Sequence, residues 1–294
     1  MSNQVPAWQG PILDNHFHLN RNGRYLDAAH DFKRAGGTNI VLIHCPDFAS
    51  PPTTKEGHRA AYQNTIAMAE SVRTELDLHV RVVLGPHPAA FAHQFIEWVE
   101  QDGAKGKNRA IENYRDSIDE AVKFYHEGNA HAIGEVGRPH WEVSQEIWDL
   151  SNDLLCETMS LAANDGFALQ LHVEGELEST YIDMAAMAEK SGLQKDRLIR
   201  HYSPPNVEAK ITQGLTPSVL AGKGALATLL ATAEQCSHGF MLETDYMDDL
   251  RRPGAVLGPK TVPKRTNQLL NAGIDEELLW RAHVDLPNEL YGQE

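Results

Sequence analysis

The stretch PILDNHFH, residues 11–18, sets the reading of the whole chain. A short apolar run leads into two histidines, His16 and His18, separated by Phe17. In a strand, side chains at i and i+2 share a face, so both imidazoles point one way and Phe17 the other. Such a pair suits chelation of one metal ion. In a chain with 15 histidines it also arises by chance. The remaining segments decide between the two.

Seven more segments have the same character: TNIVLIHC (38–45), LHVRVVLGPH (78–87), AHAIGEVG (130–137), FALQLHVEG (167–175), RLIRHYSP (197–204), TPSVLAG (216–222) and GFMLETDY (239–246). Their near-continuous apolar runs predict strands buried on both faces of a parallel sheet. Amphipathic helical patterns lie between them. GRYLDAAHDFKRAGG ends in a glycine pair, a helix stop. The third connection holds two helices broken at DGAKGK (102–107), and the second opens with a proline-rich loop, PDFASPPTTKEG (46–57). After the eighth strand, VPKRTNQLLNAGIDEELLWRAHVDLPNELYG predicts helices that close the fold. Eight strand–helix units in 294 residues predict a distorted (β/α)8 TIM barrel, one α/β domain over 1–294. A doubly wound open sheet is the alternative, but it does not need eight strands. The chain has no GxGxxG, and GKGALATLL (222–230) lacks the Walker spacing.

Hydrophobic content of 41% places the chain among globular proteins. No run approaches the roughly 20 apolar residues of a membrane span. MSNQVPAWQG has neither a basic nor an apolar signal region. The three cysteines, Cys45, Cys156 and Cys236, are widely spaced, which predicts free thiols and a cytoplasmic location. A net charge of -15 excludes broad coating of nucleic acid by a basic surface. It leaves room for a nucleic-acid substrate, because a metal site supplies positive charge locally.

Six metal-ligand residue types stand near predicted strand ends: His16 and His18 on the first, Glu135 on the fourth, His172 on the fifth, His201 on the sixth and Asp245 on the eighth. Each alone reads more readily as structural: a hydrogen-bonded interior histidine, a strand-end cap, a paired buried carboxylate. Together they form a set that random placement rarely produces. In a barrel, all six converge on the face where active sites form. Two divalent ions clamping attacking and leaving oxygens would suit ester hydrolysis, and mixed histidine and carboxylate ligands suit zinc, manganese or magnesium.

The ordered set DNHFHL, GPHP (85–88), AIGEVG (132–137), LQLH (169–172), IRH (199–201), LETD (242–245) and PNELYG (287–292) resembles the TatD-related metal-dependent hydrolases of the amidohydrolase-like barrel superfamily, in a divergent, archaeal-type branch. The resemblance implies that His16, His18 and Asp245 hold one metal, that Glu135 bridges, and that His172 and His201 hold the second. It further implies that Asp245 orients or deprotonates the attacking water and that His87 lies near the substrate. The mouth departs from the family pattern at Arg138-Pro139, Val173-Glu174 and the YSPP that follows His201. Arg138, Glu174, Glu176 and Tyr202 become candidate substrate contacts. Arg138 either meets a phosphate bidentately or forms an ion pair with a nearby carboxylate. Cys45 reads as an inert buried thiol, and Trp98, Trp148 and Trp280 as helix-packing residues. The implied activity is attack of metal-activated water on a phosphodiester, deoxyribonuclease- or exonuclease-like. An ester or amide hydrolase, such as a D-aminoacyl-tRNA deacylase or lactonase, is the alternative, and a non-catalytic metal-binding scaffold the third. The implied partner is a nucleic acid or small ester, with no membrane involved.

Overall fold

Strands and helices alternate through the computed structural model, which describes residues 7–175 and 178–293. Residues 1–6, part of the stretch read for a signal region, and Glu176 lie outside the described residues. All eight expected strands form: β1 (Leu13–Phe17), β2 (Asn39–Ile43), β3 (His79–Leu84), β4 (Ala132–Gly137), β5 (Leu169–His172), β6 (Leu198–Ser203), β7 (Thr216–Leu220) and β8 (Met241–Glu243). They make one parallel sheet in the order β1 to β8. The ring closes through a single bridge between Phe17 and Tyr246, with the His18 N–H donating to the Tyr246 carbonyl at 2.9 Å. Side chains complete that seam. Asp14 accepts from the Thr244 N–H at 2.9 Å and its hydroxyl at 2.7 Å. Asp248 accepts from the backbone N–H groups of Asn20, Arg24 and Tyr25.

Helices α1 (Leu26–Arg34), α2 (Lys55–Leu76), α3 (Pro88–Asp102), α4 (Ala104–His126), α5 (Gln145–Asp165) and α6 (Glu178–Ser191) pack around the first six strands. The break expected at 102–107 is Gly103, with φ of 56°, between α3 and α4. One turn later Gly106 lets the two helices touch: a Cβ there would lie 1.8 Å from the Trp98 carbonyl oxygen. The distortion sits after β6, where only the one-turn α7 (Ala209–Thr212) precedes β7. Helices α8 (Ala225–Thr232), α9 (Thr261–Asn271) and α10 (Glu276–Trp280), a π-helical turn (Arg281–Asp285) and α11 (Leu286–Tyr291) complete the chain. No helix among the described residues is long and apolar enough to cross a membrane.

The barrel interior is stacked in layers. At the bottom, Leu13, Val41, Ala132, Ala168 and Met241 pack against Leu286 and Leu290 of α11, which plugs the N-terminal end. Above lies a polar layer. The Tyr291 hydroxyl donates to Asn15 Oδ1 at 2.7 Å and accepts from Gln170 Nε2 at 2.9 Å. Asn15 Nδ2 donates to Ser218 Oγ at 2.9 Å. Phe17 points outward, as the alternation predicts, against Phe32 and Tyr246. The ligand-type residues form the next layer up.

His283, in the π-helical turn, ties the plug to β1. Its Nδ1 accepts from the Leu13 N–H at 3.1 Å, while its Nε2 faces the Thr266 hydroxyl at 3.0 Å. Thr266 donates its proton to the Val262 carbonyl, so the imidazole is neutral with its proton on Nε2. Burial lowers its pKa to about 4. A histidine lowered on folding contributes stability that is complete above its unfolded pKa of about 6.5 and is lost as pH falls toward about 4. Between pH 7 and pH 5 this loss is about 2 kcal/mol. Denaturant unfolding of metal-free protein at both pH values should show it as the difference in pH dependence between wild type and His283→Gln. Equal dependence in the two would refute this account.

Candidate metal centre

Each ligand-type side chain reaches the mouth through a local irregularity. Register shifts occur between Asp14 and Phe17 on β1, Gly134 and Val136 on β4, and Arg200 and Ser203 on β6. Bulges of this kind re-aim side chains at barrel rims. Glu135 is the extra residue of the β4 bulge, opposite β5. Gly137 lets the end of β4 pass β5, since a Cβ there would lie 2.1 Å from the His172 carbonyl oxygen. Asp245, two residues past β8, has φ of 47°, and Tyr202 has φ of 53°. Left-handed backbone at non-glycine residues concentrates at functional sites.

All six expected ligands come together. Glu135 is buried at the centre. Its Oε1 faces His172 Nδ1 at 2.9 Å, His16 Nε2 at 3.6 Å and His201 Nε2 at 3.6 Å. Its Oε2 faces His18 Nε2 at 3.8 Å and His87 Nε2 at 3.9 Å. Asp245 Oδ1 lies 3.6 Å from His18 Nε2 and 3.8 Å from His16 Nε2. The donor atoms of His16, His18 and Glu135 lie within 4.8 Å of one another, as do those of His16, His201 and Asp245.

The hydrogen bonds behind the rings show that this donor set fits a cation. Gln170 gives its Nε2 protons to the Asn15 carbonyl and Tyr291, so its oxygen faces His16 Nδ1 at 2.8 Å. The Ile43 carbonyl accepts from His18 Nδ1 at 3.2 Å, and Glu243 accepts from His201 Nδ1 at 2.9 Å. Each Nδ1 therefore carries the proton of a neutral ring, and each Nε2 lone pair points into the cluster. The His16 and His18 Nε2 atoms are 3.0 Å apart. Burial opposes charging of His201 and His18, yet Glu243 and Asp245 respectively outweigh it, raising His201 to about 10 and His18 above its ordinary value. Burial and then His201 hold His16 well below its ordinary range. Burial also works against ionised Glu135, but the surrounding histidines, His87 and His16 foremost, keep it well below the usual carboxylate range. A metal entering the cluster displaces protons. The ring of His172 makes its polar contact with Glu135, its Nε2 being buried without a partner.

His87 adopts a different role. Its Nδ1 accepts the Ala89 N–H at 3.0 Å, capping α3. Burial lowers it to about 3, so the ring is neutral and Nε2 carries its proton toward Glu135. A neutral imidazole in that state donates from Nε2, which stands with the donor atoms of Glu135 and His172 in a third group within 4.8 Å of one another. Arg138 points to other partners. It meets Glu174 at 2.9 Å, Asp183 at 3.1 Å and Asn152 at 3.2 Å, and covers the Trp148 ring. Glu174 is thus held within the protein as well. Tyr202 lies beside His201, with ring centroids 5.8 Å apart. All three cysteines are free, and burial pushes Cys45 up to about 12. Trp98 is buried in α3, and Trp280 packs edge-on against Trp8.

Sequence reasoning missed Glu243 and Gln170, which orient His201 and His16. Gln170 was within reach of the i, i+2 rule, since it shares a strand face with His172; Glu243 was not, because Asp245 lies past the end of β8 with a positive φ.

The chain is 30% identical over 285 residues to an uncharacterized protein of Methanocaldococcus jannaschii, covering 96% of this chain and 95% of that one. A TatD-like protein of Archaeoglobus fulgidus superposes with a TM-score of 0.63 at 16% identity, over 95% of this chain and 99% of the other. The phosphotriesterase homology protein of Escherichia coli, crystallised with phosphate in its active site, superposes with a TM-score of 0.62 at 12% identity, over 96% and 98%. These two show a shared barrel. The TatD related DNase profile matches residues 13–292, and with that match the chain belongs to the TatD related DNase family of hydrolases.

Proposed function

We propose that the chain is a two-metal phosphodiesterase acting on nucleic-acid strands. One observation carries this reading: buried Glu135 stands among five imidazoles, its Oε1 facing His16, His172 and His201 and its Oε2 facing His18 and His87, so a single carboxylate is in reach of the ligands to both ions. His16, His18 and Asp245 would hold one ion, and His172 and His201 the other, with Glu135 between them. Divalent zinc, manganese or magnesium bound there supplies Lewis acidity and lowers the pKa of water. Asp245, the more solvent-accessible of the two carboxylate ligands, receives the proton of the attacking water. His87 donates its Nε2 proton as a hydrogen bond to a substrate oxygen that gains charge, a role open to a neutral donor held by a helix cap. Arg138 and Glu174 shape the mouth by fixing the loop after β5 to α5 and α6.

The assay is hydrolysis of single-stranded DNA by protein loaded with magnesium, manganese or zinc. Aminoacyl esters and lactones serve as the competing panel. The expected result is metal-dependent release of mononucleotides, abolished by EDTA. Turnover confined to carboxylic esters, or none in protein with full metal content, would overturn the reading.

A further inference from the structure

Five rings run in series along the mouth: Phe48, His87, His172, His201 and Tyr202. Successive centroids are 5.2, 4.3, 5.6 and 5.8 Å apart. The three histidines surround Glu135, so the row passes directly beside the metal centre. Its two ends are solvent-exposed, Phe48 at 42% and Tyr202 at 39%. Phe48 follows β2 and Tyr202 lies in β6, four strands apart in a ring of eight, so the ends stand on opposite sides of the barrel axis. Tyr202 is held in place by its N–H, which donates to Glu243 at 2.8 Å, and its ring rests on Gly175, where a Cβ would lie 3.3 Å away.

Proteins that bind single strands stack successive bases on aromatic side chains set along a positively charged groove. The flanking loop after β8 adds Arg251 and Arg252, both largely exposed and sharing the carboxylate of Asp249. Arg251 lies within electrostatic reach of Asp47, the neighbour of Phe48, so an otherwise acidic chain brings a guanidinium to that end of the row. We propose that Phe48 and Tyr202 are two stacking subsites, one on each side of the bond to be cut. The fitting substrate carries a planar base on both sides of the scissile phosphate, as within a single strand. Base–aromatic stacking tolerates every base, so the enzyme would discriminate by the presence of flanking bases and not by their identity. This rests on the phosphodiesterase reading above.

The test compares metal-loaded wild type, Phe48→Ala and Tyr202→Ala on thymidylyl-thymidine, thymidine 5′-methyl phosphate and thymidine 3′-methyl phosphate. Removing a stacking partner should raise KM for the dinucleotide by about 5- to 150-fold with kcat little changed. Each variant should also affect one methyl ester and spare the other, in complementary fashion. Conservative Tyr202→Phe should retain wild-type KM. Binding is read separately by fluorescence quenching of a 2-aminopurine dinucleotide joined by an uncleavable methylphosphonate. Quenching lost in both alanine variants supports the subsites even if no phosphodiester is cut, which would fault the activity alone. A wild type that cuts the dinucleotide without quenching the probe overturns the subsites alone. So do variants with reduced kcat and unaltered KM.

Discussion

Glu135→Gln is expected to lower turnover by at least about 1000-fold and to reduce the bound metal per chain, while the barrel stays folded. The change keeps shape and removes one negative charge from the middle of five imidazoles. In the wild type those rings hold the carboxylate ionised against the cost of its burial. An amide cannot replace it as a ligand for two cations. Its NH2 group would also bring protons toward His172, His16 or His18, whose nitrogens already converge there. The fold should tolerate the exchange, because the amide keeps the shape of the side chain and the imidazoles it faces can release their protons and stay neutral. Elemental analysis, steady-state rates and thermal unfolding of the metal-free protein check this. Wild-type metal content and turnover in the variant would remove Glu135 from the centre.

The strand alternation in PILDNHFH was enough to put His16 and His18 on one face and Phe17 on the other. Eight such runs were enough for the barrel. Local sequence works there because period-2 burial is a property of each strand alone. It works less well where partners come from distant segments. Glu243 meets His201 from 42 residues away, and an acid in a barrel strand looks merely costly until its donors are known. Asp248 binds three backbone N–H groups of the loop after β1, a role no side-chain pattern announces. Arg138 was open between phosphate and ion pair. Its partners Asn152 and Asp183 sit on α5 and α6, so only their docking decides where the guanidinium goes. The weak β6–β7 connection was also unreadable, since a one-turn helix has too little periodicity to detect.

Glu243→Gln should weaken metal binding by about 10- to 100-fold and flatten its pH dependence. Glu243 is fully buried and touches no substrate-facing atom; it acts through His201, so it is a positioning residue. Two effects oppose each other in the variant. The carboxylate raises His201 to about 10, so a metal binding at neutral pH must displace a proton from that ring. In the wild type, affinity therefore rises about tenfold per pH unit for that one proton, up to about pH 10. Removing the carboxylate relieves this competition, because burial alone drives the ring toward its neutral form. It also removes the attraction of that carboxylate for the metal. The metal effect wins, since a divalent ion carries twice the charge of the proton it replaces and interacts correspondingly more strongly with the lost charge. The amide oxygen can still accept from His201 Nδ1 and from the Tyr202 N–H, so ring orientation and local backbone persist. A merely structural role would lower the unfolding temperature of the metal-free protein and leave the pH dependence of binding intact. Titration of zinc or manganese between pH 6 and pH 9, with proton release followed in parallel, separates the two: wild-type proton release in the variant would show that Glu243 does not govern His201.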